Sequence, residues 1–336
     1  MKDSPVFAVL GAGSWGTAMA TVTARNGYRT ILWGRNPEQM QAMAASQKNE
    51  RYLPGLDLPE NLEFTSDLDY ALSQATILEV VTPSGAFRET IEQCKEFLLK
   101  HRRLCWATKG LEYGSNKFLH EVVKEVLGED IDMAVISGPS FAKEVVQCMP
   151  TAVTIAGSSS DYTVEIANYF HNHNWFRAYT SEDIVGVQVG GAVKNVLAIA
   201  AGIADGLGYR MNTRAGLITR GLNTIMQLGV ELGGHPETFM GLAGMGDLIL
   251  TCSDDQSRNR RFGLALARGE GVDAAKASIG QAVEGIKSAK ASYELSQQHG
   301  IDMPIVDQVY DIIYKDKSPK LAVQELLQRE QKEEVE

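Results

Sequence analysis

Residues 6–16 read Val-Phe-Ala-Val-Leu-Gly-Ala-Gly-Ser-Trp-Gly, a short apolar run that ends in Gly11-x-Gly13-x-x-Gly16. Glycine-rich turns are common, and the motif alone carries little weight. Its surroundings carry more. Thr17 to Asn26 reads as a helix stopped by Gly27, and Ile31 to Trp33 reads as a second strand at the spacing of a βαβ unit. In such a unit Gly11 makes the tight turn and Gly13 lets a pyrophosphate approach the backbone. Gly16 brings the helix against the strand, and the helix N-terminus offers amide hydrogens to the anion. A site specific for NAD places an acid at the end of the second strand. Here Leu32-Trp33-Gly34-Arg35-Asn36 offers an arginine instead, which suits a 2′-phosphate, so NADP is expected ahead of NAD.

Outward from that unit, apolar runs predict further strands at 62–64, 77–81, 104–108, 133–137, 152–156 and 176–179. Helical segments are expected between them, near 67–73, 84–100, 117–127, 141–147 and 161–171, with Asn36 capping another that starts at Pro37. Ser158 to Ser160 reads as a short loop. The alternation predicts an α/β fold, a Rossmann-type, mostly parallel sheet with helices on both faces. After Ser181 the strand signals stop, which predicts a second, all-helical C-terminal domain. We divide the chain into a dinucleotide-binding domain, 1–187, and a helical substrate-binding domain, 188–336.

At that boundary lies Gly186 to Ala204, GVQVGGAVKNVLAIAAGIA, in which Lys194 is the one formal charge. Apolar residues recur at helical spacing, and the glycines let neighbouring backbones approach. A lysine in such a helix is either paired and structural or tuned for proton transfer, because desolvation lowers its pKa. Three loops follow strands, where ligands bind in this fold: Thr82-Pro83-Ser84, Thr108-Lys109-Gly110, and Ser137-Gly138-Pro139-Ser140-Phe141-Ala142. In the helical half, Gly244-Met245-Gly246-Asp247 and Ser257-Arg258-Asn259-Arg260-Arg261 interrupt the apolar pattern. An arginine flanked by Ser and Asn donors fits a phosphate, although a basic helix start on the surface has the same composition. Gln281-Ala282-Val283-Glu284-Gly285 cannot be interpreted by spacing alone.

A net charge of −10 argues against nucleic acid and anionic membrane as partners. Cys94, Cys105, Cys148 and Cys252 are too scattered for a metal or redox pair, and they suit reduced thiols of a cytoplasmic protein. The Lys194 helix is the one candidate membrane span, and its Lys, Asn and Gln argue against that role. The six histidines show no metalloprotease-like spacing. His171 and His173 could pair on a metal, yet a solvated loop is the simpler reading, and no metal is expected.

These residues together resemble the bacterial, soluble type of NAD(P)-dependent glycerol-3-phosphate dehydrogenase. The resemblance runs through GAGSWGTAMA, ATKGLE, ISGPSFAKEV, VGGAVKNVLAIAAG, AGMGDLILTC, SRNRRFG and VEG, in the family's order over nearly the whole chain. It implies reversible reduction of dihydroxyacetone phosphate to sn-glycerol 3-phosphate, a supply for glycerophospholipid synthesis, by an oxidoreductase using NADP or NAD. It implies Lys194 as the catalytic acid/base and Lys109 as a second lysine touching both substrate and cofactor. Gly138, Ser140, Asp247, Ser257, Arg258 and Asn259 match substrate positions. Ser14, Trp15, Arg35, Ala142, Arg258, Ala282 and Glu284 match cofactor positions, beside Gly11, Gly13 and Gly16. The family usually carries valine where Ala282 stands. A small-molecule phosphate is the expected partner, and a homodimer the expected assembly. Two other readings share parts of the pattern. A 3-hydroxyacid or 6-phosphogluconate dehydrogenase would not need the Ser257-Arg258-Asn259 cluster and the GMGD loop. A non-enzymatic NADPH sensor would not need Lys194 and Asp247.

Overall fold

The computed structural model describes residues 4–331, apart from 102, and residue 333. Eight strands form one sheet: β1 (Val6–Leu10), β2 (Arg29–Trp33), β3 (Leu62–Thr65), β4 (Ile77–Val80), β5 (Arg103–Trp106), β6 (Asp132–Ser137), β7 (Thr151–Gly157) and β8 (Phe176–Ser181). Their order is β3-β2-β1-β4-β5-β6-β7-β8. All neighbours run parallel except β6 and β7. The first six strands therefore follow the doubly wound order, which reverses between β1 and β4. Alternate residues of β1 feed two cores, Phe7 and Val9 on one face and Ala8 and Leu10 on the other. Burial on both faces is why these strands read as unbroken apolar runs.

β4 breaks that rule once. Glu79, between Val9 of β1 and Cys105 of β5, is fully buried, and neither carboxylate oxygen has a hydrogen-bond partner among the described residues. Burial raises its pKa to about 8, so at neutral pH the side chain is mostly a neutral acid.

The helices obey local rules in most places. Asn36 caps Pro37–Ser46 by accepting from Gln39 N at 2.9 Å. Two expectations needed correction. The 84–100 segment is a 3₁₀ turn, Ser84–Ala86, followed by two helices, Phe87–Gln93 and Lys95–His101. No Gly or Pro marks the break at Cys94. The Ser158–Ser160 stretch is a helix start, with Ser159 Oγ accepting from Tyr162 N to cap Ser160–Phe170.

Beyond Ser181 every regular element among the described residues is helical. The central one, Ile184–Gly206, is capped by Asp183, whose two oxygens accept from Gly186 N and His235 N. It is apolar enough to cross a membrane by length and composition, yet 83% of its most apolar window is buried inside the protein. Its glycines are contact points. A Cβ on Gly202 would lie 2.0 Å from Arg260 O, and one on Gly263 of the crossing helix would lie 2.1 Å from Ile199 O. Each helical glycine costs roughly 1 kcal/mol in propensity, and the close crossing it permits offsets that cost. Val187 packs into a sheet core, whereas Val189 onward belongs to the helical core. The helix thus bridges both halves, and Lys194 sits on its third turn near the carboxyl edge of the sheet.

Candidate active site

The glycine loop closes the carboxyl end of β1 at the switch point. Gly11 adopts φ +126°, and a Cβ there would sit 2.6 Å from Val81 O. A Cβ on Gly16 would overlap Gly11 O at 1.8 Å, so the helix Ser14–Arg25 lies directly on the turn. Nothing lies within 4 Å of the Cβ position of Gly13, which faces open space beside the unpaired amides of the helix N-terminus. This cradle fits a dinucleotide pyrophosphate. Arg35 stands exposed just past β2, with no hydrogen bond or ion pair among the described residues. Ser14 lies at the start of the helix Ser14–Arg25. Trp15 turns across the loop, its Nε1 donating to Ala107 O at 3.2 Å, and its ring lies 5.9 Å from Lys109 Nζ.

Two lysines from different halves meet on one carboxylate. Lys194 Nζ donates to Asp247 Oδ1 at 2.5 Å and to Thr251 Oγ1 at 2.9 Å. Lys109 Nζ donates to Asp247 Oδ2 at 2.7 Å and to Gly138 O at 3.3 Å. Asp247 opens the helix Asp247–Ser253, and both it and Lys194 are buried. Burial pulls Lys194 down to a pKa of about 8; Asp247 pulls it back up and Lys109 pushes it further down. Burial would raise Asp247, but Lys109 and Lys194 outweigh it and hold the carboxyl below its ordinary value. With both lysines protonated the cluster carries a net positive charge, poised for an anion or a developing oxyanion.

The other expected residues fall around this cluster. Gly138 holds φ +144° against Val153, and Ser140 Oγ donates to its carbonyl at 3.0 Å. Ala142 begins the next short helix. Ser257 caps Arg258–Ala267 by accepting from Arg260 N at 3.2 Å. Asn259 is held on both sides: its Nδ2 donates to Asn195 Oδ1 at 2.8 Å and its Oδ1 accepts from Gly285 N at 2.9 Å. Arg258 has no hydrogen-bond partner among the described residues; burial lowers its pKa against the attraction of Glu284. Glu284, raised by burial, accepts from Ser84 Oγ at 3.4 Å across the two halves. Ala282 is exposed at the rim, while Val283 points into the helical core.

Two residues at the cluster were not assigned from sequence, Thr251 and Asn195; Ser84 stands on a loop expected to face the ligand, but its partner Glu284 was not foreseen. Thr251 lies one helical turn after Asp247, a spacing that could have flagged it. Asn195 needed its partner Asn259, which is 64 residues away. The histidine pair His171 and His173 lies away from the cluster, with Nε2 and Nδ1 3.3 Å apart.

A doubly wound sheet with a glycine loop at its switch point, met by a helical half that delivers a lysine–carboxylate pair, defines a two-domain dinucleotide-dependent dehydrogenase. The chain belongs to the NAD-dependent glycerol-3-phosphate dehydrogenase family: the family's N-terminal part matches residues 6–163 and its C-terminal part matches 183–324. It is 54% identical to the NAD(P)+ glycerol-3-phosphate dehydrogenase of Thioalkalivibrio sulfidiphilus, over 99% of each chain. With the enzyme of that name from Vibrio campbellii it shares 49% identity, over 97% of this chain and 94% of the relative. The crystal structure of glycerol-3-phosphate dehydrogenase from Coxiella burnetii superposes with a TM-score of 0.93 at 46% identity, covering 97% of this chain and 99% of that one.

Proposed function

We propose that this chain catalyses the reversible reduction of dihydroxyacetone phosphate at C2 to sn-glycerol 3-phosphate, feeding glycerophospholipid synthesis. The observation that carries this reading is the shared carboxylate of Asp247, which gathers Lys194 and Lys109 beside the glycine loop. The dinucleotide, when bound in the Gly11–Gly16 cradle, supplies the hydride.

Lys194 gives its proton to the substrate carbonyl oxygen, and takes it back in the reverse direction. An ammonium that titrates near pH 8 suits both directions, because neither protonation state is far from reach. Asp247 and Thr251 fix the direction of Lys194 Nζ. Lys109 adds a second positive charge where the oxyanion grows. Arg258, half-buried at a helix start and without a hydrogen-bond partner among the described residues, receives the substrate phosphate together with Ser257, and Asn259 lines the same wall. Gly138 and Ser140 form the opposite wall. Ser14, Trp15, Arg35, Ala142, Ala282 and Glu284 line the cofactor side, with Arg35 favouring a 2′-phosphate and hence NADP over NAD.

We place the domain boundary between residues 187 and 188, supported by the change of core from Val187 to Val189. Four cysteines without disulfides support a cytoplasmic setting. The expected assembly is a homodimer; the helical half carries a groove of about 1170 Å³ in which apolar residues such as Leu217 and Met226 stand beside charged ones such as Arg220 and Glu231. Sedimentation of the purified protein tests that assembly. The test of the activity is loss of NADPH absorbance on adding dihydroxyacetone phosphate. No consumption with this substrate, in protein that still binds NADPH, would overturn the reading.

A further inference from the structure

The segment that carries Lys109 reaches from the sheet to the helical half within a few residues. It leaves β5 at Trp106, and Thr108 Oγ1 donates to Thr82 O at 2.8 Å. It bends at Gly110, where φ is +113°, and then closes on itself between Glu112 and Lys117. Glu112 N donates to Lys117 O at 2.9 Å, and Asn116 N donates to Glu112 O at 3.1 Å. Arg88 grips the base of this turn through two bonds to the Glu112 carboxylate, at 2.6 and 3.0 Å.

The tip of the turn is held from the other half. Asn116 Nδ2 donates to Glu294 Oε2 at 2.7 Å, on the helix Glu284–His299. Tyr113 meets Lys287 and Lys290 of the same helix, with ammonium-to-ring distances of 5.4 and 6.0 Å. Asn116 has φ +57°, a left-handed conformation that asparagine tolerates better than most residues. Between turn and helix lies a gap of about 120 Å³, bordered by Leu111, Asn116, Ser288 and Glu294. Leu111 and Phe118, at the two ends of the turn, are buried in the helical core, and packing leaves the gap beyond them unfilled, so the polar contacts fix the tip of the turn on the helical half.

We propose that Asn116 and Glu294 are positioning residues, whose hydrogen bond holds the Lys109 turn against the helical half and so keeps Lys109 Nζ on Asp247. The proposal rests on Lys109 acting at the substrate carbonyl. The turn is short and closed by its own hydrogen bonds, and a shift at Asn116 is passed to Lys109 seven residues earlier. A displacement of about 1 Å at a catalytic group costs up to a hundredfold in rate. The bond is half-exposed, and a loss of about tenfold is expected from breaking it.

The test compares Glu294→Ala, Glu294→Gln and Lys109→Met in the full-length enzyme. Glu294→Ala should lower kcat about tenfold. Glu294→Gln keeps an acceptor for Asn116 and should stay within about twofold of the parent. On the residual activity of Lys109→Met, Glu294→Ala should add no further loss, because the two changes act through one side chain. An Ala variant that loses thermal stability but keeps kcat, or whose loss multiplies fully with that of Lys109→Met, overturns the proposal. If Glu294→Ala does not fold, Asn116→Gly keeps the left-handed turn, removes the donor, and is held to the same outcomes. Lys109→Met retaining near-parental turnover would instead overturn the role of Lys109 itself.

Discussion

The two walls of the cleft are built from different materials. On the sheet side the cradle is backbone: Gly11, Gly13 and Gly16 shape it, and the helix N-terminus supplies its donors. On the helical side the groups are charges on core helices, Lys194 and Asp247 buried and Arg258 half-buried. Backbone donors need no side-chain charge to be taken out of water, whereas each buried charge costs several kcal/mol unless it is paired. The helical wall therefore stakes more energy on each residue. Single substitutions should cost most there, and changes on the sheet side should be milder and more sensitive to salt.

The sharpest test of that contrast is Lys194→Met. Losing the proton donor should remove roughly 2.7–4 kcal/mol of transition-state stabilisation, a hundredfold to a thousandfold in turnover, with NADPH binding retained. Turnover above about a tenth of the parent would break the comparison at its strongest point.

Next comes Glu79, a buried acid on the sheet side that has no hydrogen-bond partner among the described residues. Its folded pKa, about 8, lies above the ordinary carboxylate value. Its contribution to stability is fully present below that ordinary value and is lost as pH rises through about 8. Glu79→Gln mimics the neutral acid, and should leave the melting temperature nearly unchanged at acid pH. At pH 8 or above it should stabilise the fold by on the order of 3 kcal/mol. Equal melting shifts at both pH values would mean that the carboxyl is not held neutral.

Arg258→Ala should damage dihydroxyacetone phosphate more than unphosphorylated dihydroxyacetone. A charge-assisted contact of roughly 1.5–3 kcal/mol predicts a gap of tenfold or more in kcat/KM between the two substrates. Equal losses would move Arg258 off the phosphate. The smallest effect belongs to Arg35→Ala. The side chain is exposed, so NADPH should lose about 1 kcal/mol, NADH less, and raised salt should narrow the parent's preference. A loss as large as that of Arg258→Ala would erase the distinction between the walls.

The same contrast governs what could be read from the chain. All eight strands were legible. The central ones are buried on both faces and write local apolar runs such as Val6–Leu10 or Asp132–Ser137, whereas the edge strands Leu62–Thr65 and Phe176–Ser181 are only partly buried and left shorter signals. The glycine loop was legible because its turn, its approach and its helix contact each demand glycine at a fixed spacing. Lys194 stood out as a charge in an apolar helix. The break at Cys94 left no trace, since neither Gly nor Pro makes it. Glu79 was hidden by the strand around it. Thr251, Asn195 and Ser84 become meaningful through partners that only the tertiary structure brings near, and the same holds for the Asn116–Glu294 bond.

Asp247 is a shared counter-ion, and sharing has a thermodynamic consequence. While Lys109 rests on Oδ2, its charge pushes the Lys194 ammonium towards releasing its proton. Drawing Lys109 away would leave the carboxylate to Lys194 alone and make it the weaker acid. Linkage makes the relation reciprocal: a protonated Lys194 loosens Lys109 from Asp247, and a deprotonated one tightens it. The acidity of the proton donor is thus tied to where Lys109 stands, with a single carboxylate as the pivot.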